Sequence, residues 1–357
     1  MGAKNIRIAL LGIGTIGREL LRRTSGQTRY TYVALGDSSG FIAKREGFTA
    51  SETSKIVEYK SHGKPLAELD ERLYSGNEVI DVIGDYGADV LVDVTAAQTY
   101  ATIEAVLGYA DVVTSNKLPF ADTPYHDYRR LVEKAEEEGR LLDYGATVGA
   151  GLKIPELVRN LGADGVVSFS GCLSGTMNYV SQRLNEGASF SEAIKEAMKP
   201  PRSYTEPDPR TDLTGKDFGR KLVIITRLLE KCVGLRDIMM EPLIPEEFRG
   251  ISREEFLNRL GELDQEISEK MNVAEGRGRA LWFLGSADLE EEEYKLGFKE
   301  IPRSDPIRYS KESDNVIRIE PRLWRRPVTL MGPGAGAAET ATGLMSGIVS
   351  AKKHDSA

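Results

Sequence analysis

The sequence predicts an α/β protein with a doubly wound parallel sheet at its amino end and a second, α+β domain after it. Three observations carry this. Short apolar, β-branched runs, NIRIALL at 5–11, TYVALG at 31–36, DVLVDVT at 89–95 and DVVT at 111–114, alternate with helical patterns through the first part of the chain. A glycine-rich turn follows the first of these runs directly. Beyond Leu152 the order changes to a half-exposed strand pattern, helices rich in Glu and Lys, and then further strand-like pieces. The resulting division places residues 1–143 and 322–357 in the first domain and 144–321 in the second.

Composition narrows the functional classes. A chain of 357 residues with 40% hydrophobic content buries a substantial core and has room for two domains. Its net charge of −8 comes from scattered, largely matched charges, and no basic patch suggests nucleic acid. No apolar run reaches membrane-spanning length, and the amino terminus runs into a strand without a signal-peptide pattern. Two cysteines, Cys172 and Cys232, make no disulfide framework and fit a reducing cytoplasm. The three histidines, His62, His126 and His354, have no metal-ligand spacing.

Taken in order, the first strand leads into Gly12-Ile13-Gly14-Thr15-Ile16-Gly17 and then the helical pattern RELLRRT. This is GxGxxG between a strand and a helix. Gly12 allows the tight turn, Gly14 the approach of a pyrophosphate, and Gly17 close helix packing. The second run ends at Asp37, where a carboxylate accepts from a ribose 2′-OH and favours NAD. Lys44 and Arg45 follow, either of which suits a 2′-phosphate, so NAD and NADP both stay open. The third run ends at Thr95, and the fourth at Ser115-Asn116-Lys117, strand ends of the kind where ligands lie in open parallel sheets. A polar helix from about Tyr125 to Glu138 leads to the glycine-rich exit RLLDYGATVGAG.

In the second domain, VVSFSGCLSG reads as a strand holding Cys172, followed by a helix with Ser174 or Thr176 as candidate cap. The stretch YTEPDPRTDLTGKDFGRK, 204–221, gathers Glu206, Asp208, Asp212, Asp217 and Lys221 around two prolines and a glycine. Such a density of proline and glycine sets a fixed loop. Carboxylates so crowded bind a cation or share protons, and Lys221, one turn past Asp217, suits proton transfer. A solvated acidic loop capping a helix is the bland alternative. ALWFLGSA, EYKLGF and NVIRIEP read as strands, whose open sheet face suits a dimer contact. The terminal GPGAGAAETATG is glycine-dense and then helical from near Ala338, and such a helix can return to the first domain.

These motifs together resemble the homoserine dehydrogenase family, in order along nearly the whole chain: GIGTIG, SNK, ATVGAG, SGT, the acidic loop and GPGAGA. The resemblance implies a Rossmann-type domain completed by the terminal helix, and a second domain for substrate binding and dimerisation. It implies NAD(P)-dependent interconversion of L-aspartate 4-semialdehyde and L-homoserine, on the route to threonine, methionine and isoleucine. Glu206, Asp212 and Asp217, with Gly175 and Thr176, would hold the amino-acid substrate; Lys117 and Lys221 would flank the reacting carbon. Gly12, Ile13, Gly14, Thr15, Ile16, Gly17, Asp37, Thr95, Ser115, Lys117 and Gly336 would line the cofactor. A sodium ion would be held by backbone carbonyls of Gly145, Val148, Ala150 and Leu152.

Two departures stand out: Gly145 replaces the usual glutamate, and Glu339 an apolar residue. Two other readings compete, a semialdehyde dehydrogenase using Cys172 as nucleophile and a catalytically silent NAD(P)-binding sensor. A short monofunctional, cytoplasmic homodimer with neither a fused kinase nor a terminal regulatory domain is the expectation.

Overall fold

The computed structural model describes residues 5–69, 79–163, 165–201, 203–241 and 243–354. The chain folds as two compact units: 1–156 with 336–357, and 157–335.

Unit 1 is built on six strands: β1 (Ile6–Leu11), β2 (Tyr30–Asp37), β3 (Gly40–Ala43), β4 (Val90–Asp93), β5 (Asp111–Thr114) and β6 (Leu142–Asp143), in the order β3-β2-β1-β4-β5-β6. All pairs are parallel except β2–β3, a short hairpin that closes one edge. The predicted doubly wound sheet is therefore present. Its strand order reverses between β1 and β4, and ligands of such sheets lie in the crevice at the carboxyl ends of those two strands.

The β-branched runs form strands because both sheet faces are covered: Ile6, Ile8, Leu10, Val90 and Val92 are fully buried. Leu20 and Leu21 of the helix Thr15–Thr24 join the same core, as do Ala341, Leu344 and Ile348 of the terminal helix Ala337–His354. That terminal helix lies directly on the loop after β6. A Cβ on Gly343 would meet the Ala150 carbonyl oxygen at 2.8 Å, and one on Gly347 would meet Asp143 Oδ2 at 2.4 Å. Two glycines four apart thus give the helix a bare stripe on its packed face.

Unit 2 holds β7 (Val166–Cys172), β8 (Met239–Met240), β9 (Arg279–Asp288), β10 (Glu293–Pro302), β11 (Asp314–Pro321) and β12 (Val328–Pro333), in the order β12-β11-β7-β9-β10-β8. Pairing is antiparallel apart from β10–β8. Central β9 is buried from Ala280 to Gly285, and Gly285 seats the helix Lys216–Leu228. A Cβ there would come within 2.7 Å of Leu222 and 2.8 Å of Phe218.

Both unit boundaries fall later than the sequence reading put them. Residues 144–156 stay with unit 1, where the loop after β6 packs against the terminal helix. Val328–Pro333, which runs into the terminal glycine-dense motif, is an edge strand zipped to β11, which keeps residues up to 335 in unit 2.

The glycines of the first turn make separable predictions. A Cβ on Gly17 would lie 1.9 Å from the Gly12 carbonyl oxygen, whereas one on Gly14 meets nothing within 4 Å. Overpacking of this kind costs about 1–3 kcal/mol, and each kcal/mol lowers Tm by about 2–4 °C in a protein of this size class. Gly17→Ala should therefore melt several degrees below wild type and Gly14→Ala alongside it. Equal melting of the two variants by differential scanning calorimetry would refute this account of the turn.

Candidate active site

In unit 1, the carboxyl ends of β1 and β4 meet through Gly12. It adopts φ +98°, and an added Cβ would stand 2.9 Å from the backbone carbon of Val94, so only glycine fits the approach. The helix Thr15–Thr24 starts at Gly14 with no side-chain cap and no acid in its first turn, while Arg22 and Arg23 occupy its last. Its free N–H groups and dipole favour an anion, and the space above Gly14 is open. Ile13 is buried beneath the turn, and Thr15 and Ile16 open the helix. These residues fit the pyrophosphate of a dinucleotide.

The end of β4 is set by a carboxylate that the sequence reading passed over. Asp93 is fully buried. Its Oδ1 accepts from Thr95 N at 2.9 Å and Thr95 Oγ1 at 2.7 Å. Its Oδ2 accepts from Thr99 Oγ1 at 2.6 Å and Asn116 Nδ2 at 3.0 Å. Asp93 thereby fixes Thr95 and, through Asn116, the turn carrying Ser115 and Lys117. The signal was visible as an acid inside the apolar run DVLVDVT. Lys117, half-buried, sits at the start of the short helix Leu118–Ala121. Gly336 takes φ +118° at the entrance of the terminal helix, where its carbonyl accepts from Thr340 N and Oγ1. Glu339 folds back over it, and a Cβ on Gly336 would lie 2.2 Å from the Glu339 carboxylate.

Asp37 does not present a free carboxylate for a ribose. Oδ1 accepts from Ser39 N at 2.8 Å and Ser39 Oγ at 2.5 Å, and Oδ2 from Leu66 N at 2.9 Å and from Lys60 Nζ. Four donors fill the four lone-pair positions of the group. Burial works against its ionisation, yet Lys60 and Ser39 outweigh it and hold Asp37 below the usual carboxylate range. Of the two basic residues beyond, Lys44 is paired with Glu52 at 2.8 Å, and Arg45 lies 5.4 Å over the Tyr86 ring.

Gly145, Val148, Ala150 and Leu152 do share one loop, but two of their four carbonyls already accept backbone hydrogen bonds. The Val148 carbonyl accepts from Ile154 N at 3.2 Å and the Ala150 carbonyl from Lys153 N at 3.3 Å. Beside Gly145 the Lys153 ammonium donates to Asp143 Oδ2 at 2.8 Å and also pairs with Glu156. A cation is thus built into the position that a side chain at 145 would reach, and these residues do not fit a sodium ion there.

In unit 2, the loop of 204–215 leads into the helix Lys216–Leu228, whose seat on Gly285 aims Lys221 at the end of β7. Lys221 is 9% exposed; its ammonium donates to the Leu173 carbonyl at 2.7 Å and pairs with Asp217 at 3.0 Å. Asp212 Oδ2 accepts from Glu206 N at 2.9 Å, and its Oδ1 lies 2.9 Å from Thr176 Oγ1. Burial, reinforced by the negative charges of Glu206 and Asp217, holds the Asp212 carboxyl above the usual range despite these contacts. Thr176 has one hydroxyl hydrogen, and it also faces the Tyr204 carbonyl at 2.6 Å. That hydrogen is shared between the Asp212 and Tyr204 oxygens. Ser174, not Thr176, caps the helix Gly175–Asn185. Gly175 is needed because a Cβ would meet that of Ser313 at 2.8 Å.

Asp208 and Arg210, unassigned by sequence, anchor this loop. Their ion pair is 2.6 Å long, and Arg210 also donates to the carbonyl of Ile251 at 2.7 Å and lies 5.4 Å over the Phe256 ring. Arg253 Nε ties back to the Pro207 carbonyl at 2.7 Å. Cys172 is fully buried, and burial pushes its thiol up to about 12, which removes the thiolate a nucleophile needs.

A family model described as homoserine dehydrogenase matches residues 154–349. Homoserine dehydrogenase of Schizosaccharomyces pombe is 30% identical over 97% of this chain and 95% of its own length. Bifunctional aspartokinase/homoserine dehydrogenase 2 of Escherichia coli is 31% identical over 97% of this chain, which spans only 43% of that protein. A hyperthermophilic archaeal homoserine dehydrogenase mutant, solved in complex with NADPH, superposes with a TM-score of 0.74 over 98% of each chain at 21% identity. With the glycine turn and the acidic loop already in place, these matches settle the family: the chain belongs to the homoserine dehydrogenases.

Proposed function

We propose that the chain interconverts L-aspartate 4-semialdehyde and L-homoserine with NAD or NADP, in the biosynthesis of threonine, methionine and isoleucine. The observation that carries this is the buried Lys221 ammonium, held between the Leu173 carbonyl and Asp217 beside the carboxylate Asp212. When bound, the reduced nicotinamide supplies the hydride for aldehyde reduction. Lys221 stabilises the oxygen that gains negative charge and delivers its proton there; in the oxidative direction it takes that proton back. Asp217 keeps Lys221 in place, and Glu206, Asp212 and Asp217 receive the α-ammonium of the substrate. That ammonium supplies the counter-charge that the buried Asp212 carboxylate lacks. In unit 1, Gly12 to Gly17, Thr95, Ser115 and Gly336 hold the dinucleotide, and Lys117 binds the substrate as the second lysine.

We also assign the protein to the cytoplasm, as a homodimer. Both cysteines are free, which suits a reducing compartment, and unit 2 exposes Met239, Tyr309, Leu323 and Trp324. No helix among the described residues is long and apolar enough to cross a membrane.

The direct test is oxidation of homoserine with NAD and NADP side by side at alkaline pH, following the reduced nicotinamide by absorbance. Nucleotide binding without turnover by either cofactor would replace this reading with a silent sensor. Lys221→Ala should lose roughly 10²–10⁴-fold in kcat with cofactor affinity preserved, and near-normal turnover would remove Lys221 from the chemistry. Alkylation of accessible thiols should leave activity intact.

Asp212 gives a pH signature. Only its ionised form binds the substrate ammonium, so KM for homoserine should rise as pH falls through the Asp212 pKa. Because that pKa is raised, the rise should begin at a higher pH than for an ordinary aspartate. Asp212→Asn should weaken kcat/KM by roughly tenfold or more, a charged hydrogen bond being worth about 1.5–3 kcal/mol, and should abolish this limb of the pH profile. An unchanged limb in the variant would assign the titration elsewhere.

A further inference from the structure

Gly145 and Lys153 form one arrangement. A Cβ added to Gly145 would lie 2.6 Å from Lys153 Cε, 3.0 Å from Asp143 Oδ1 and 3.1 Å from Glu156 Oε1. Any side chain at 145 would therefore occupy the space that the lysine stem fills. Lys153 is only 7% exposed, and its backbone takes the left-handed conformation, φ +47° and ψ +52°, that L side chains rarely adopt. That conformation is held by a full set of local contacts. The ammonium donates to Asp143 Oδ2 at 2.8 Å and pairs with Glu156, while the other Asp143 oxygen accepts from Gly145 N at 2.8 Å.

The charge balance excludes a second cation at low cost. Asp143 is 8% exposed, and its single negative charge is matched by Lys153; Glu156 is 42% exposed and screened by solvent. A metal ion would also need oxygen ligands from the loop. Two of the four carbonyls implied by the family resemblance already accept backbone hydrogen bonds, those of Val148 and Ala150.

We propose that the Lys153 ammonium is a built-in replacement for the sodium ion that the family resemblance implies, with Gly145 giving it room and Asp143 its counter-charge. The loop between β6 and the terminal helix is then held together without an alkali cation. This inference concerns the framework of unit 1 and does not rest on the catalytic reading.

Thermal melting tests it, with sodium chloride compared against tetramethylammonium chloride at equal ionic strength. Wild type should melt at the same temperature in both. Lys153→Met should melt lower, because Asp143 is left buried without a partner, and should regain stability in sodium but not in tetramethylammonium. A sodium site filled at a hundred times its Kd raises Tm by roughly 5–10 °C, which is the size of rescue expected. A wild-type Tm that climbs specifically with sodium overturns the proposal. So does a Lys153→Met variant that melts like wild type, or one that melts lower and ignores sodium. Should Lys153→Met fail to fold, Gly145→Ala displaces the lysine from the other side, and the same two salts then read the same outcomes.

Discussion

The acidic loop of unit 2 can present carboxylates at fixed places because Arg210 turns its charge inward. Crowded acids repel one another and, left alone, would spread into solvent. Arg210 prevents this by pairing with Asp208, reaching the carbonyls of Phe248 and Ile251, and lying over the Phe256 ring. The guanidinium suits the task because its planar fork makes several of these contacts together. Asp208 is held below the usual carboxylate range by that guanidinium, so it contributes a permanent anchor and no titrating charge. The remaining acids of the loop and the helix after it are Glu206, Asp212 and Asp217, the last paired with Lys221 on a helix resting on Gly285. The geometry of the acidic loop rests on the Asp208–Arg210 ion pair.

Unit 1 solves a related problem with glycine. Between β1 and β4 the backbone itself must come close, and Gly12 and Gly17 are the two positions where a methyl group would strike backbone atoms. Gly14 is different: nothing in the protein needs its bareness, so the open space above it is left for a ligand. Asp93 completes the arrangement from the neighbouring strand, spending both carboxylate oxygens to orient Thr95 and Asn116. The glycine turn supplies the floor of the site and the buried acid supplies its edge.

This division explains what the sequence disclosed and what it hid. Repeating apolar runs and the GxGxxG turn announced the parallel sheet, because burial on both faces and close backbone approach each demand particular residue types. Strand β12 was hidden, since Gly332 and Pro333 end its apolar run and its pairing with β11 depends on a partner strand. Asp37 stood at the right spacing for a ribose contact, but spacing says nothing of Lys60 and Leu66, which reach it from other segments. Arg210 and Asp93 were harder to read because part of their partner set, Ile251 and Phe256 for the arginine and Asn116 for the aspartate, lies far along the chain. Glu206, Asp212, Asp217 and Lys221 were legible because one short loop carries them all.

Among the described residues, three lysines are largely buried against aspartates, and comparison of them sets the one proposed for proton transfer apart from the other two. Lys60 with Asp37, and Lys153 with Asp143, are closed pairs: each aspartate is 8% exposed, and the lysines are 12% and 8% exposed. Breaking such a pair leaves a buried charge without compensation, so neither lysine can part from its aspartate cheaply. Lys221 is equally buried, at 11%, but its Asp217 is 52% exposed. Solvent or another cation can reach Asp217, and the Leu173 carbonyl holds the lysine in position independently of it. Burial alone therefore does not distinguish a structural ammonium from a reactive one. The distinction lies in the counter-charge, which is locked for Lys60 and Lys153 and exchangeable for Lys221.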